Sequence, residues 1–332
     1  MLSMSPEPAI QLYSLAELRA ADIPSPKPIV DGLIHAGETV LLVGRPKVGK
    51  SRLVQQLTLS LSRGEPWLGK TICSPRRVLL LDLENRLSGV RSRFTVMSAV
   101  GESDDRVVSY APDTLAGDGV NSSPFGMVRV EQLVARANPD VLIIDTWRLF
   151  VGGDENKPEV VVKALKAISN LRKNSPGLVI ILVHHLRKEK FDAPVRLHED
   201  PYSWVEAVSG HHALVGHLDA CYGLERHLDL SGEELIVFGG VARNTYPPAL
   251  LLDDDEDTLL FTVRSGEEAA LRAMTAKERV FWDSAKVSVR FNFNDLVMAA
   301  NTTNRKAVAS TLRKAEAHHV LQRDGKVYVV TV

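Results

Sequence analysis

Short apolar runs of strand length recur along the chain: VLLVG (40–44), RVLLLDLE (77–84), VLIIDT (141–146), LVIILVHH (178–185), ACYGLER (220–226) and ELIVFGG (234–240). A run that is apolar at every position suits a strand covered on both faces. Between the first of these runs the period changes. Leu53, Leu57 and Leu61 recur at i, i+4 and i+8, and Val161 and Leu165 are followed by Ile168 and Leu171 close to the same stripe, as one buried helical face requires. Alternating strands and helices predict a mostly parallel α/β sheet. The stretch 219–263 has no long helix and reads as an antiparallel extension of that sheet, with the acidic run Asp253, Asp254, Asp255, Glu256 and Asp257 as a solvated hairpin tip.

Both ends of the chain have a different pattern. Pro6, Pro8, Pro24, Pro26 and Pro28 confine any N-terminal helix to about 14–21, because proline removes a helix donor and clashes with the preceding turn. Residues 1–28 therefore read as a proline-rich strap, 29–265 as the α/β domain and 270–332 as a small C-terminal domain. In the last of these, helices are predicted at 276–285, 294–300 and 304–318, with a turn at 301–303 and a two-strand finish, VLQRD-GK-VYVV. That pattern predicts a winged-helix domain.

Composition adds a charge asymmetry. Residues 270–332 hold 11 Lys+Arg against 5 Asp+Glu, and the rest of the chain 29 against 36, so a basic block follows an acidic body although the formal net charge is -1. Cys73 and Cys221 lie far apart, which indicates neither a zinc site nor a disulfide framework; both read as small buried residues in a reducing compartment. No apolar run has membrane-spanning length and no leader pattern opens the sequence. A cytoplasmic location is expected, with no membrane partner.

The segment VLLVGRPKVGKS (40–51) carries the most specific chemistry. Gly44, Gly49, Lys50 and Ser51 satisfy G-x-x-x-x-G-K-[S/T] between an apolar strand and an amphipathic helix, the context of a polyphosphate loop. Such a loop turns backbone N–H groups toward an anion, and the helix that follows directs its positive end to the same point. Gly44, Arg45, Pro46, Lys47, Val48, Gly49, Lys50, Ser51 and Arg52 are thus the candidate ATP contacts. Lys50 would supply a charge to the phosphates and Ser51 a hydroxyl to Mg²⁺. Asp145 closes the strand VLIID, where a carboxylate reaches the magnesium through water. Glu84 ends RVLLLDLE at the carboxyl edge of a strand, where ligands of open α/β sheets gather, and could orient or deprotonate the attacking water. Asp82 is its rival on the same face. Of His184 and His185, one should face the site, and His185 is the preferred γ-phosphate sensor.

These residues resemble the RecA-like fold and, within it, the RepA-like group of plasmid and phage ATPases related to hexameric replicative helicases. The resemblance rests on 31–51, 78–94, 141–150, 179–190 and 209–226 and covers roughly 29–265. It implies that Glu84 is the catalytic carboxylate and His185 the strand-end histidine. It also implies subunits in a ring, ATP between neighbours and single-stranded DNA through the middle. The chain departs from its relatives at Gly210-His211-His212, where many have Gly-Ser-Ser, and at Asp219, where some carry an interface arginine. Arg226 and Arg243 are the remaining candidates for an arginine acting in trans.

Two loops could track DNA in such an arrangement: RLFVGGDENKPEV after Asp145, and the stretch after His185 that holds Arg187, Lys188 and Lys190 before Phe191. In the basic C-terminal block, Arg305, Lys306, Arg313 and Lys314 fall on the second helix of a helix-turn-helix, which suits phosphate contacts on duplex DNA; protein docking is the other use of such a module. The sequence thus supports an ATP-driven DNA motor, a helicase of plasmid or phage replication. A RecA-like recombinase or filament former and a nucleotide-gated DNA-binding adaptor are the alternatives.

Overall fold

The computed structural model describes residues 12–23, 25–98, 106–110, 119–186, 195–208, 213–228, 232–243, 245 and 247–331. Helix α1 (Leu15–Ala20) has the expected place. The Ser14 hydroxyl accepts from the Glu17 N–H while the Glu17 carboxylate accepts from the Ser14 N–H, and none of the helix is buried. A small antiparallel pair, β1 (Pro28–Val30) and β2 (Ile34–His35), leads into β3 (Thr39–Gly44), which runs into α2 (Lys50–Arg63). Then follow β4 (Val78–Asp82), α3 (Leu87–Met97), β5 (Val107–Tyr110), α4 (Pro124–Ala137), β6 (Val141–Asp145), α5 (Trp147–Val151), α6 (Pro158–Asn174) and β7 (Val179–His185). Two short helices, α7 (Pro201–Val205) and α8 (Ala213–Gly216), precede β8 (Ala220–Leu228), β9 (Glu234–Ala242), β10 (Leu250–Asp254) and β11 (Phe261–Val263).

These strands form one nine-stranded sheet in the order β11-β10-β9-β8-β3-β7-β6-β4-β5. From β8 to β5 all neighbours are parallel, and β9, β10 and β11 add antiparallel. The run ACYGLER is therefore not the start of the antiparallel extension, as its lack of a flanking long helix suggests, but a parallel neighbour of β3. Strand β5 escapes the sequence pattern altogether.

Period-two alternation divides each central strand between two cores. Leu41, Val43, Leu79, Leu81, Leu142, Ile144, Ile180 and Leu182 face α4, α5 and α6. Val40, Leu42, Val78, Leu80, Val141, Ile143, Val179 and Ile181 face α2, whose Leu53, Leu57 and Leu61 are buried, together with Ile29, Val30 and Ile34 of the small pair. The strands are apolar throughout because helices cover both faces.

The C-terminal block builds a third core from Trp282, Phe281, Leu296, Val308 and Leu312. Its elements are α9 (Glu267–Ala273), α10 (Ala276–Ser288), β12 (Arg290–Asn292), α11 (Phe293–Ala299), α12 (Arg305–Ala317), β13 (Leu321–Asp324) and β14 (Val327–Val330). The terminal hairpin is present, and β12 adds to it as a third strand in the order β12-β14-β13. Capping boxes at Thr275–Glu278 and Asn292–Asp295 fix where α10 and α11 begin. No helix among the described residues is long and apolar enough to cross a membrane. Cys221 is buried, whereas Cys73, expected to be buried, is exposed.

Candidate nucleotide site

Strand register brings the chemistry to one edge of the sheet. Gly44, the last residue of β3, is opposite His185 of β7, and Asp145 of β6 is opposite both Val183 and Asp82 of β4. The loop after Gly44 needs its glycines. A Cβ on Gly44 would come within 2.6 Å of the Leu224 carbonyl oxygen, and Gly49, at φ +109°, has the ring of Phe261 where a Cβ would go. Lys47 also holds a positive φ, and Gly49 is the N-cap of α2 with no side chain capping it. The first-turn N–H groups of α2 thus lack intrahelical partners. Arg45, Pro46 and Lys47 are exposed, while the Val48 side chain belongs to the core, leaving only its backbone for the loop.

Lys50 is buried with its ammonium turned into the loop. Its Nζ donates to the carbonyl oxygens of Gly44 (3.0 Å) and Arg45 (2.9 Å) and lies 3.2 Å from His185 Nδ1. Burial lowers the Lys50 pKa to about 8, against the pull of Asp145 and Glu84. The same Glu84 acts on Asp145, so both carboxylates converge on the loop. Burial pushes the Asp145 carboxyl up to about 7, aided by the neighbouring Asp82, while a hydrogen bond from the Ser51 hydroxyl opposes the rise. Asp145 Oδ1 is buried and has no hydrogen-bond partner among the described residues.

That orphaned oxygen decides whether Mg²⁺ fits. A serine hydroxyl and a buried carboxylate with a spare lone pair, beside a lysine and a cradle of glycines, form an all-oxygen donor set of the kind a hard divalent cation takes together with phosphate and water. Ser51 and Asp145 would hold the metal, directly or through water. No cluster of three or more His, Cys, Asp or Glu side chains forms a self-sufficient metal cage among the described residues. The ion would therefore depend on the phosphates for its remaining ligands.

Asp82, the rival of Glu84 in the sequence, holds the turn after β4. Its buried carboxylate accepts from the backbone N–H of Glu84 (3.2 Å) and Asn85 (2.8 Å) and from Asn85 Nδ2 (3.1 and 3.0 Å). Arg93 in turn donates to Asn85 Oδ1 at 3.0 Å. This bracket folds the chain back after β4 and leaves Glu84 exposed to the site. The spacing Asp82-x-Glu84-Asn85 contains the signal, because Asp bonding the N–H two residues on is a common turn device.

The two histidines divide as alternation requires. His185 meets Lys50, and His184 is fully buried with Nε2 3.9 Å from Glu155. Burial, then the charge of Lys50, lowers the His185 pKa to about 4. The imidazole is thus neutral at pH 7, and its Nδ1 accepts from the ammonium.

Several other expected residues have different work. Arg52 does not point to the phosphate loop: it is ion-paired to Asp254, donates to the Leu259 carbonyl and stacks over Phe261 at 4.8 Å. Arg226, a candidate for an arginine acting in trans, is bound within the chain to the same Asp254 and to Glu234 at 2.6 Å. Asp254 is therefore the hub of an ion-pair network and not part of a solvated tip. Arg243 is exposed and donates to the Gly216 carbonyl at 2.9 Å. It follows β9 at the sheet edge opposite the loop, near Asp219, which binds Arg172 and the Thr39 N–H. The stretch after Asp145 is not a free loop, because it begins as α5 with Trp147, Phe150 and Val151 buried. Arg187, Lys188, Lys190, Phe191 and Gly210-His211-His212 lie outside the described residues. Lys314, expected on an exposed DNA face, is buried and paired with Glu278 at 2.8 Å, whereas Arg305 and Lys306 are exposed.

The family model described as AAA domain matches residues 5–190, more than half of the chain. No curated protein matches. Among solved structures, a KaiC-like protein from the hyperthermophilic archaeon Pyrococcus horikoshii OT3 is similar at 14% identity and a TM-score of 0.48, over 71% of this chain and 93% of that one. With a polyphosphate loop, an orphaned strand-end aspartate and a glutamate converging at one sheet edge within the matched span, the chain belongs to the AAA domain family of P-loop ATPases.

Proposed function

We propose that the chain hydrolyses ATP as a RecA/RepA-like motor on single-stranded DNA, with subunits in a ring, ATP between neighbours and a role in plasmid or phage replication. One observation carries the hydrolytic part: strand register sets the ends of β3, β4 and β6 at one edge of the sheet, with the Lys50 loop, Asp145 and the segment of Glu84 together there. The sheet order, with β7 between β3 and β6, supports the RecA-like reading. From α10 onward, the order helix, strand, helix, helix, strand, strand in the C-terminal unit supports a winged helix.

In this reading Lys50 leaves the Gly44 and Arg45 carbonyls and His185 to neutralise the terminal phosphates. The Glu84 carboxylate, exposed to the site, takes a proton from the water that attacks the γ-phosphorus. His185, neutral at pH 7 with its proton on Nε2, gives up the bond its Nδ1 accepts from Lys50, donates Nε2–H to the γ-phosphate and reports hydrolysis to the segment that follows it. Magnesium, when bound at Ser51 and Asp145, offsets the negative charge that builds on the phosphate oxygens.

Phosphate release measured with and without single-stranded DNA, in the wild type and in Lys50→Ala, tests the proposal. Turnover that rises with single strands and vanishes in Lys50→Ala is the expected result. Slow turnover indifferent to DNA would favour a nucleotide-gated adaptor, and open filaments in electron micrographs would favour a recombinase-like assembly.

A further inference from the structure

Two clefts open along α12, and they share Thr245 and Arg313 as common wall. The larger, of about 600 Å³, lies between the N-terminal half of α12 and the segment around α7. The smaller, of about 440 Å³, continues past Arg313 toward Lys70, Glu316 and His319. Lys306, Ser310, Arg313 and Ala317 recur at helical spacing, so a single face of α12 forms one side of the whole groove. The groove follows a helix of 13 residues, a length of about 20 Å.

From this geometry we infer that the groove between α12 and the ATPase body binds single-stranded nucleic acid, with Lys306, Arg313 and Lys70 on the phosphates and Tyr202 stacking on a base. The inference deepens the proposed function and rests on its reading of the protein as one that acts on DNA. Charge decides the class of ligand. Arg305, Lys306, Arg313 and Lys70 line the groove, and of the acids that share it, Asp200 is occupied in capping α7, accepting from the Tyr202 and Ser203 N–H groups and the Ser203 hydroxyl. Burial lowers the pKa of Lys70 and raises that of Glu316, and no described residue forms an ion pair with Lys70. The Lys70 ammonium, half-buried and acted on by Asp31 and Glu316 without an ion-pair contact among the described residues, stands at the far end of the groove as a further cation for a phosphate. Tyr202, 62% exposed at the mouth, is the aromatic platform that sequence-tolerant strand binding uses.

Shape separates one strand from two. A duplex reader presents its recognition helix outward so that the helix enters a major groove about 12 Å wide. On this chain the basic face of α12 looks across the cleft at Glu199 to Tyr202. A duplex would have to displace that wall, whereas an extended single strand lies along it.

The test uses the full chain without nucleotide and a fluorescein-labelled oligo-dT, with anisotropy recorded across a salt series. Lys306→Ala/Arg313→Ala should weaken binding and flatten the log–log salt dependence by about 0.7 for each cation removed, with DNA-free ATP turnover as in the wild type. A Tyr202→Trp variant, at an exposed position, should gain emission that the oligonucleotide quenches. Lys50→Ala should bind the strand as the wild type does, so turnover that survives in Lys50→Ala would refute the ATPase reading without touching this one. Unchanged affinity and slope in the double variant, emission from the Tyr202→Trp variant that the oligonucleotide leaves unquenched, or equal competition by a duplex or an acidic peptide would each overturn the inference.

Discussion

Asp145 shows how far a single residue can be pushed for a site. An isolated aspartate would ionise well below neutrality, but burial beside Asp82 lifts its pKa to about 7. Below the ordinary aspartate value of 3.8 both folded and unfolded chains are protonated. Between there and about 7 the folded carboxyl keeps a proton that the unfolded chain has lost, so stability falls as pH rises through this window and levels off above it. Asp145→Asn removes that penalty. Its thermal midpoint, measured without ligands at about pH 8, above the raised carboxyl value, should exceed the wild type, while its magnesium-dependent turnover is lost; an equal or lower midpoint would contradict the burial argument. Metal binding needs the ionised carboxylate, so Mg²⁺ affinity should rise with pH up to about 7 and then plateau, as calorimetry can follow. At this scale the local motif pointed to Lys50 and Ser51 and the end of an apolar strand to Asp145, and strand register sets β3 and β6 on either side of β7, with their ends at one edge of the sheet. The ion pairs of Arg52, Arg226 and Lys314 were not legible in the sequence, because each has a partner far away along the chain, at Asp254 or Glu278.

At the scale of elements, legibility followed length and period. The long apolar strands and the leucine stripe of α2 could be read because each repeats its signal over several residues. Strands β5 and β12, of 4 and 3 residues, are too short for a period to show. The parallel direction of β8 was hidden because, among the described residues, the crossover from β7 holds α7 and α8 in place of one long helix. Helix α2 shows what the stripe does: Leu57 is 3% exposed against the sheet, and Leu57→Ala should cost about 2–5 kcal/mol in denaturant unfolding. Gly49→Ala should destabilise by more than ~1 kcal/mol, since alanine is incompatible with its positive φ, and the added methyl would also press on Phe261.

For the whole molecule, the C-terminal unit is fastened to the ATPase body through α12. The Lys314 ammonium binds Glu278 of α10 and reaches the His198 carbonyl at 3.2 Å. The nearby ammonium holds Glu278 below the usual carboxylate range despite the opposing effect of burial. Lys314→Ala would leave Glu278 buried without its counter-charge and should destabilise the chain by about 3–5 kcal/mol in equilibrium unfolding. His198, whose carbonyl Lys314 reaches, stacks its ring on His227 of β8 at 5.6 Å, so the C-terminal unit contacts the body beside β8. Charge asymmetry made a separate basic unit legible in the sequence, but not that its helix would face the body across a cleft. A motor of this kind requires that Glu84 activate water at a loop that holds ATP. The direct test is single-turnover hydrolysis of bound ATP by Glu84→Gln, scored beside nucleotide affinity. The account predicts affinity within the wild-type range and a chemical step slowed by about 10²–10⁴-fold. Hydrolysis at the wild-type rate would contradict it.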